Sequence, residues 1–282
     1  MRNPKRTEKI AFFFLFAATM LIVVPVGLII INIIRKGIGA ISWQFLTDIP
    51  RQGMRAGGIF PAIVGTIYLV LGAIIFALPI GLLAAIYLSE YAKDNFLTRI
   101  IKLAIVNLAG VPSVVYGLFG LVIFVVFFKF GTSILSGSLT LGIMILPVII
   151  TTSREALESV PRSFREVSLS LGASKWQTIR HIVLPNAIPG ILTGTILGLG
   201  RAAGETAPIL FTVAAFYLPQ LPKSIFDQAM ALPYHLYVIS TQVPNVDEKI
   251  RYGTALVLLF LVLSMNLVAI IIRYRFRKEK KW

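Results

Sequence analysis

Residues 10–34 read Ile-Ala-Phe-Phe-Phe-Leu-Phe-Ala-Ala-Thr-Met-Leu-Ile-Val-Val-Pro-Val-Gly-Leu-Ile-Ile-Ile-Asn-Ile-Ile, 25 positions without a charge. A helix rises about 1.5 Å per residue, so about 20 apolar residues cross the ~30 Å hydrocarbon core of a bilayer. The run follows the basic start Arg2, Lys5, Arg6, Lys9 and exceeds the roughly 7–15 apolar residues of a signal-peptide core. It is therefore expected to be an uncleaved first span. Windows of the same width pick out further apolar runs near 60–88, 100–128, 134–152, 186–216 and 252–272. The period-2 alternation of a membrane barrel is absent. The expected fold is an all-α polytopic membrane protein with six transmembrane helices.

Composition agrees. The 282 residues are 57% hydrophobic and 14% charged, with a mean hydropathy of +0.85. Net charge is +15, and in a soluble chain that would raise nucleic acid as a partner. Here the basic residues sit in short segments between apolar runs, as loops against anionic lipid do, and nucleic acid is not expected to bind. With six spans both termini share a face. That face would carry 18 of the 27 Lys and Arg residues, from the N-terminus, 89–102, 153–184 and the C-terminus. The opposite loops carry 8, so the richer face is expected to be cytoplasmic, with both termini on it. The remaining cation, Arg201, lies inside an apolar run. No Cys is present, which excludes disulfides and thiolate chemistry, and His181 and His235 alone do not make a metal site.

The segment 152–185 between the fourth and fifth runs reads as short helices. Pro161 suits a first helical position, Gly172 a left-handed helix end, and Ser174 with Gln177 a capping box. Phe164, Val167 and Leu171 fall on one helical stripe, with Arg162, Arg165 and Glu166 on the other side. Amphipathicity alone fits either a helix lying on the membrane or one seated in a partner's groove. Glu166, Gly172 six residues on, then Ile182, Leu184 and Pro185 resemble the Glu-Ala-Ala loop of binding-protein-dependent ABC importer permeases, with Val167 and Ser168 in place of the alanines. The resemblance implies a coupling helix docked on an ATP-hydrolysing subunit, with Phe164, Glu166, Val167, Leu171, Gly172 and Ala173 making the contact. The chain lacks a Gly-x-x-x-x-Gly-Lys-Ser/Thr loop, so ATP and Mg are expected on partner subunits and no cofactor on this chain.

Arg201 and Glu205, in Gly198-Leu-Gly-Arg-Ala-Ala-Gly-Glu-Thr-Ala-Pro208, are the charges deep inside a predicted span. Spaced i and i+4, they would share a helical face, either as a structural ion pair or as an oxyanion contact with a resident counterion. Guanidinium stays charged when dehydrated and offers a planar fork to phosphate oxygens. Pro208 cannot donate to the carbonyl of Gly204 and should distort the helix there. Pro112, Ser113 and Tyr116 fit a kink lining a route as well as they fit packing. Gly200–Pro208, Val111–Gly117, Ala56–Thr66 and Met230–Tyr237 are similar to segments of PstA-type permeases of phosphate importers. That resemblance covers nearly the whole chain and implies a type I ABC importer core. It implies that Arg201 and Glu205 line the translocation route; Thr206 beside Glu205, and Ser113 and Tyr116 beside the Pro112 kink, are the further candidate pathway residues. It also implies a second homologous permease, two ATP-binding subunits and an extracytoplasmic phosphate-binding protein in the inner membrane of a bacterial cell.

The chain divides into a first helix and outer loop over 1–58, a permease domain over 59–276 with its coupling loop at 153–184, and a basic tail over 277–282. Importers of sulfate, molybdate or phosphonate share the coupling loop, and a passive anion channel would use a buried Arg without it. An intramembrane enzyme finds no His-Glu-x-x-His or Gly-x-Ser-x-Gly to work with.

Overall fold

The computed structural model describes residues 4–278; Arg2 and the tail positions 279–282 lie outside the described residues. Helix α1 (Pro4–Gly37) runs through the first apolar stretch. A short α2 (Trp43–Thr47), capped by the Ser42 hydroxyl, precedes a two-residue hairpin of β1 (Pro50–Arg51) and β2 (Ala56–Gly57). Helix α3 (Phe60–Ile86) ends in a π-helical turn over Tyr87–Tyr91. Then come α4 (Phe96–Ala109), α5 (Ser113–Gly120), α6 (Ile134–Glu158), α7 (Arg162–Ser170) and α8 (Lys175–Thr178). The chain closes with α9 (Leu184–Gly204), α10 (Ala207–Thr212), α11 (Leu232–Thr241) and α12 (Glu248–Lys278). Among the described residues five helices are long and apolar enough to cross a membrane, or six with one bent pair counted as a span.

The centre of the bundle is α3 against α6, with α9 on α6 and α12 on α9. Lipid tails are as apolar as Leu, so membrane helices gain from close approach rather than from the hydrophobic effect. Small residues permit it: Ala73 and Ala77 of α3 are fully buried, and a Cβ on Gly142 of α6 would come within 2.6 Å of the Phe76 ring. Leu69, Leu141, Met144, Ile145 and Ile149 fill the seam. Helix α1 has none of its spanning window buried and meets the bundle through α12. At that contact Lys36 Nζ lies 2.7 Å from Glu248 Oε1.

Two spans depart from the sequence expectation. The third is not a single kinked helix: α4 and the helix running over Ser113–Phe127 meet at 103°. Pro112 disfavours a helical conformation at the residue before it, and α4 ends at Ala109 with Gly110 as its cap. The Tyr116 hydroxyl donates to the carbonyl of Leu108 at 2.7 Å, beside the Val111 N–H on the same oxygen. The fifth span stops at Gly204; Glu205 is extended, with φ −77° and ψ 136°, and Pro208 sits in the first turn of α10. The expected distortion at Pro208 is thus a full break.

Cross-chain bonds sort the loops into two ends. Lys36 with Glu248, and Arg55 Nε donating to the carbonyl of Pro244 at 3.1 Å, join 35–58 to the long 217–251 loop. Glu90 with Arg165 joins the far end of α3 to α7.

Candidate functional site

The break between α9 and α10 places Arg201 and Glu205 beside each other, although not as two points on one helical face. Glu205 reaches back from an extended residue, and its Oε1 stands 3.6 Å from Arg201 Nε. A strong guanidinium–carboxylate hydrogen bond is about 2.7–2.9 Å long. The pair is electrostatic without being tightly bonded, and Arg201 makes no hydrogen bond among the described residues. Its side chain is 33% exposed and that of Glu205 19%, so the pair is only partly enclosed by this chain. Thr206 is half-buried at the break itself, its carbonyl accepting from Leu210.

Helix α5 packs on this break. A Cβ on Gly117 would meet the Ala207 carbonyl at 2.9 Å and Pro208 Cα at 3.0 Å, so only glycine lets α5 lie that close. Tyr116 is thereby brought within electrostatic reach of Arg201. Its ring is buried and its hydroxyl donates to the carbonyl of Leu108, so within this chain it packs beside the break. Ser113 is half-buried at the start of α5.

The loop after α6 forms the two short helices expected. Pro161 is the residue before α7 rather than its first, Gly172 has φ +84°, and Ser174 with Gln177 makes the capping box. The Ser168 and Thr178 hydroxyls, 2.8 Å apart and buried, pin α7 to α8. Val167 and Leu171 are 60% and 84% exposed. Together with Phe164 and Ala173 they line a groove closed by His181 and Ile182. Glu166 is exposed beside it.

Arg165 departs from the expected polar face. It turns inward, donating from Nε and a terminal nitrogen to both oxygens of Glu90 at 2.6–3.3 Å. It also donates to the carbonyls of Leu157 and Val160 at 2.8 Å each. Lys175 stacks over the Tyr91 ring at 4.8 Å, a second tie between this loop and the end of α3. Sequence reasoning missed Glu90. Its signal was an acidic residue directly after an apolar run, on the face where Lys and Arg dominate.

In the opposite loop His235 is 3% exposed, and burial lowers its pKa to about 4. Among the described residues no three His, Asp or Glu side chains gather where a metal could sit.

Residues 77–281 match the family of binding-protein-dependent transport system inner membrane components. The chain belongs to this family. A probable ABC transporter permease protein of Bacillus subtilis is 35% identical to it over 95% of both chains. A probable phosphate transport system permease protein of Methanocaldococcus jannaschii is 34% identical, covering 97% of this chain and 95% of that one. Among solved structures, a bacterial ABC transporter involved in import of the acidic polysaccharide alginate superposes with a TM-score of 0.65 at 17% identity, over 96% of each chain. That places the fold of this inner membrane component among the importer permeases. The broken third and fifth spans belong to the folded chain described above, and the Arg201–Glu205 pair stands at the second of them.

Proposed function

We propose that this chain is a transmembrane subunit of an ATP-driven importer whose cargo is phosphate. The observation that carries the cargo is Arg201, a guanidinium held at a helix break by a carboxylate 3.6 Å away and otherwise unbonded among the described residues. Such a group accepts a dehydrated oxyanion through paired charge-assisted hydrogen bonds. Glu205 competes with the anion for it, which keeps binding weak enough for release. The relative from Methanocaldococcus jannaschii, named as a phosphate transport permease, supports the same cargo.

Energy enters at the other end. The groove lined by Phe164, Val167, Leu171 and Ala173, with Glu166 and Gly172 at its rim, is where an ATP-binding subunit docks. A pair of those subunits drives this chain and a second, homologous permease, the route running between the two. The face bearing α7 and both termini is cytoplasmic, in keeping with its excess of Lys and Arg. The 217–251 loop, tied to 35–58, receives an extracytoplasmic phosphate-binding protein.

Uptake of labelled phosphate, sulfate, molybdate and a phosphonate into proteoliposomes holding the whole complex tests the reading. Phosphate should accumulate only with ATP. Accumulation of another oxyanion in its place would transfer the cargo, and uptake without ATP would make the chain a channel.

A further inference from the structure

At the end of the bundle that carries α7, charge collects a second time, away from both sites above. Lys102 of α4 and Thr151 and Arg154 of the last turns of α6 line one narrow cleft, walled by aliphatic side chains including Leu88, Ile105 and Val106. Arg154 Nε is buried there with no hydrogen-bond partner. Its nearest carboxylate oxygen, on Glu158, is 3.7 Å away, too far to satisfy it. Lys102 forms no ion pair among the described residues. No carboxylate lines the cleft.

The Arg154 side chain is 25% exposed, but a buried N–H donor without an acceptor is still costly, so the arrangement favours an anion. Two cations and a hydroxyl converging beside an aliphatic wall suit a tetrahedral phosphate group, and basic pockets between spans at a membrane's cytoplasmic edge are where anionic headgroups bind. We propose that Lys102, Thr151 and Arg154 form a binding site for a phosphate group, filled by the headgroup of an anionic phospholipid or by free phosphate. The aliphatic walls favour the lipid, whose acyl chain lies along them. The site stands whatever the transported cargo is.

The test uses the permease purified with its partner subunits. In vesicles of equal parts phosphatidylglycerol and phosphatidylcholine, native mass spectrometry should find phosphatidylglycerol retained preferentially. Retention should fall about fivefold for each charge removed in Lys102→Gln and Arg154→Gln, while Arg154→Lys retains it. In vesicles of phosphatidylcholine alone, equilibrium dialysis with labelled inorganic phosphate separates the second source: binding to wild type that Lys102→Gln loses assigns the site to the free ion. Should Arg154→Gln fail to assemble, Lys102→Gln, on the half-exposed α4, decides alone. Equal retention of both lipids by wild type and Lys102→Gln, with no difference in bound inorganic phosphate, overturns the proposal.

Discussion

The contact between Glu90 and Arg165 invites the sharpest perturbation, Glu90→Gln, which keeps the shape and removes the charge. Arg165 would retain its two carbonyl acceptors at 2.8 Å and lose the carboxylate contacts at 2.6–3.3 Å. The two side chains are 19% and 8% exposed, close to the buried limit, where removing one partner outright costs about 3–5 kcal/mol. Glutamine can still accept one hydrogen bond, so the expected cost is about 2 kcal/mol. That corresponds to a roughly 30-fold rise in the population of states with α7 detached from the end of α3. In proteoliposomes holding the complex, ATP hydrolysis should persist while phosphate moved per ATP falls severalfold. Arg165→Gln should do the same, and the double variant should be no worse than the more severe single one, because each alone breaks the same pair. If Glu90→Gln moves phosphate per ATP as wild type does, with α7 loosened or not, the pair transmits no motion and the coupling route runs elsewhere.

Four further outcomes follow from the same geometry. Arg201→Ala should assemble and hydrolyse ATP yet move phosphate at least about tenfold more slowly, with Arg201→Lys intermediate because an ammonium lacks the planar fork; uptake at the wild-type rate would reduce the pair to structure. Gly172→Val should lower stimulated ATP hydrolysis, since a β-branched residue at φ +84° costs about 1–2 kcal/mol or more, while open space around the position rules out a clash; an unchanged rate would refute it. Gly117→Leu should separate α5 from the α9–α10 break, destabilising the bundle by about 1–3 kcal/mol in a thermal assay and slowing uptake. For His235, with a folded pKa of about 4, the unfolded chain takes up the proton first as pH falls below about 6.5. Stability is full above that value and declines toward pH 4 by up to about 3 kcal/mol, a decline that His235→Gln should remove in denaturation at pH 7 against pH 5.

Most of the fold was legible because hydropathy is a local property: four of the six apolar runs became single helices near their expected places, and the other two became helices broken at Pro112 and at Glu205. What the sequence concealed was long-range. The direction of the turn at Pro112 depends on α5 finding its bed on α10, which needs Gly117 opposite Ala207 and Pro208. Arg165 read simply as part of the polar side of α7 because helical spacing knows only its neighbours, whereas its partner lies 75 residues away. The helical placement of Glu205 failed for a reason present in the sequence. Pro208 has no amide to give the carbonyl four residues back, so the helix ended at Gly204 and left Glu205 beyond it. The ion pair survived that error because an extended residue just past a helix end can still fold back upon the last turn.

The interruption at Glu205 and Thr206 also bears on where water is expected. The last carbonyls of α9 and the first amides of the six-residue α10 have no partners within their own helices. Hydrocarbon cannot satisfy them, and irregular backbone at bilayer depth persists only where it is enclosed by protein or wetted. With Gly204 exposed and Arg201 and Glu205 only partly covered, the break is expected to be hydrated on the side that α5 leaves open. In hydrogen–deuterium exchange on the intact complex, amides at 205–207 should exchange early while those of Gly194–Gly200 and of α6 stay protected. An anion arriving at Arg201 would meet an aqueous pocket there, so the energetic barrier to its passage would lie on either side of this point.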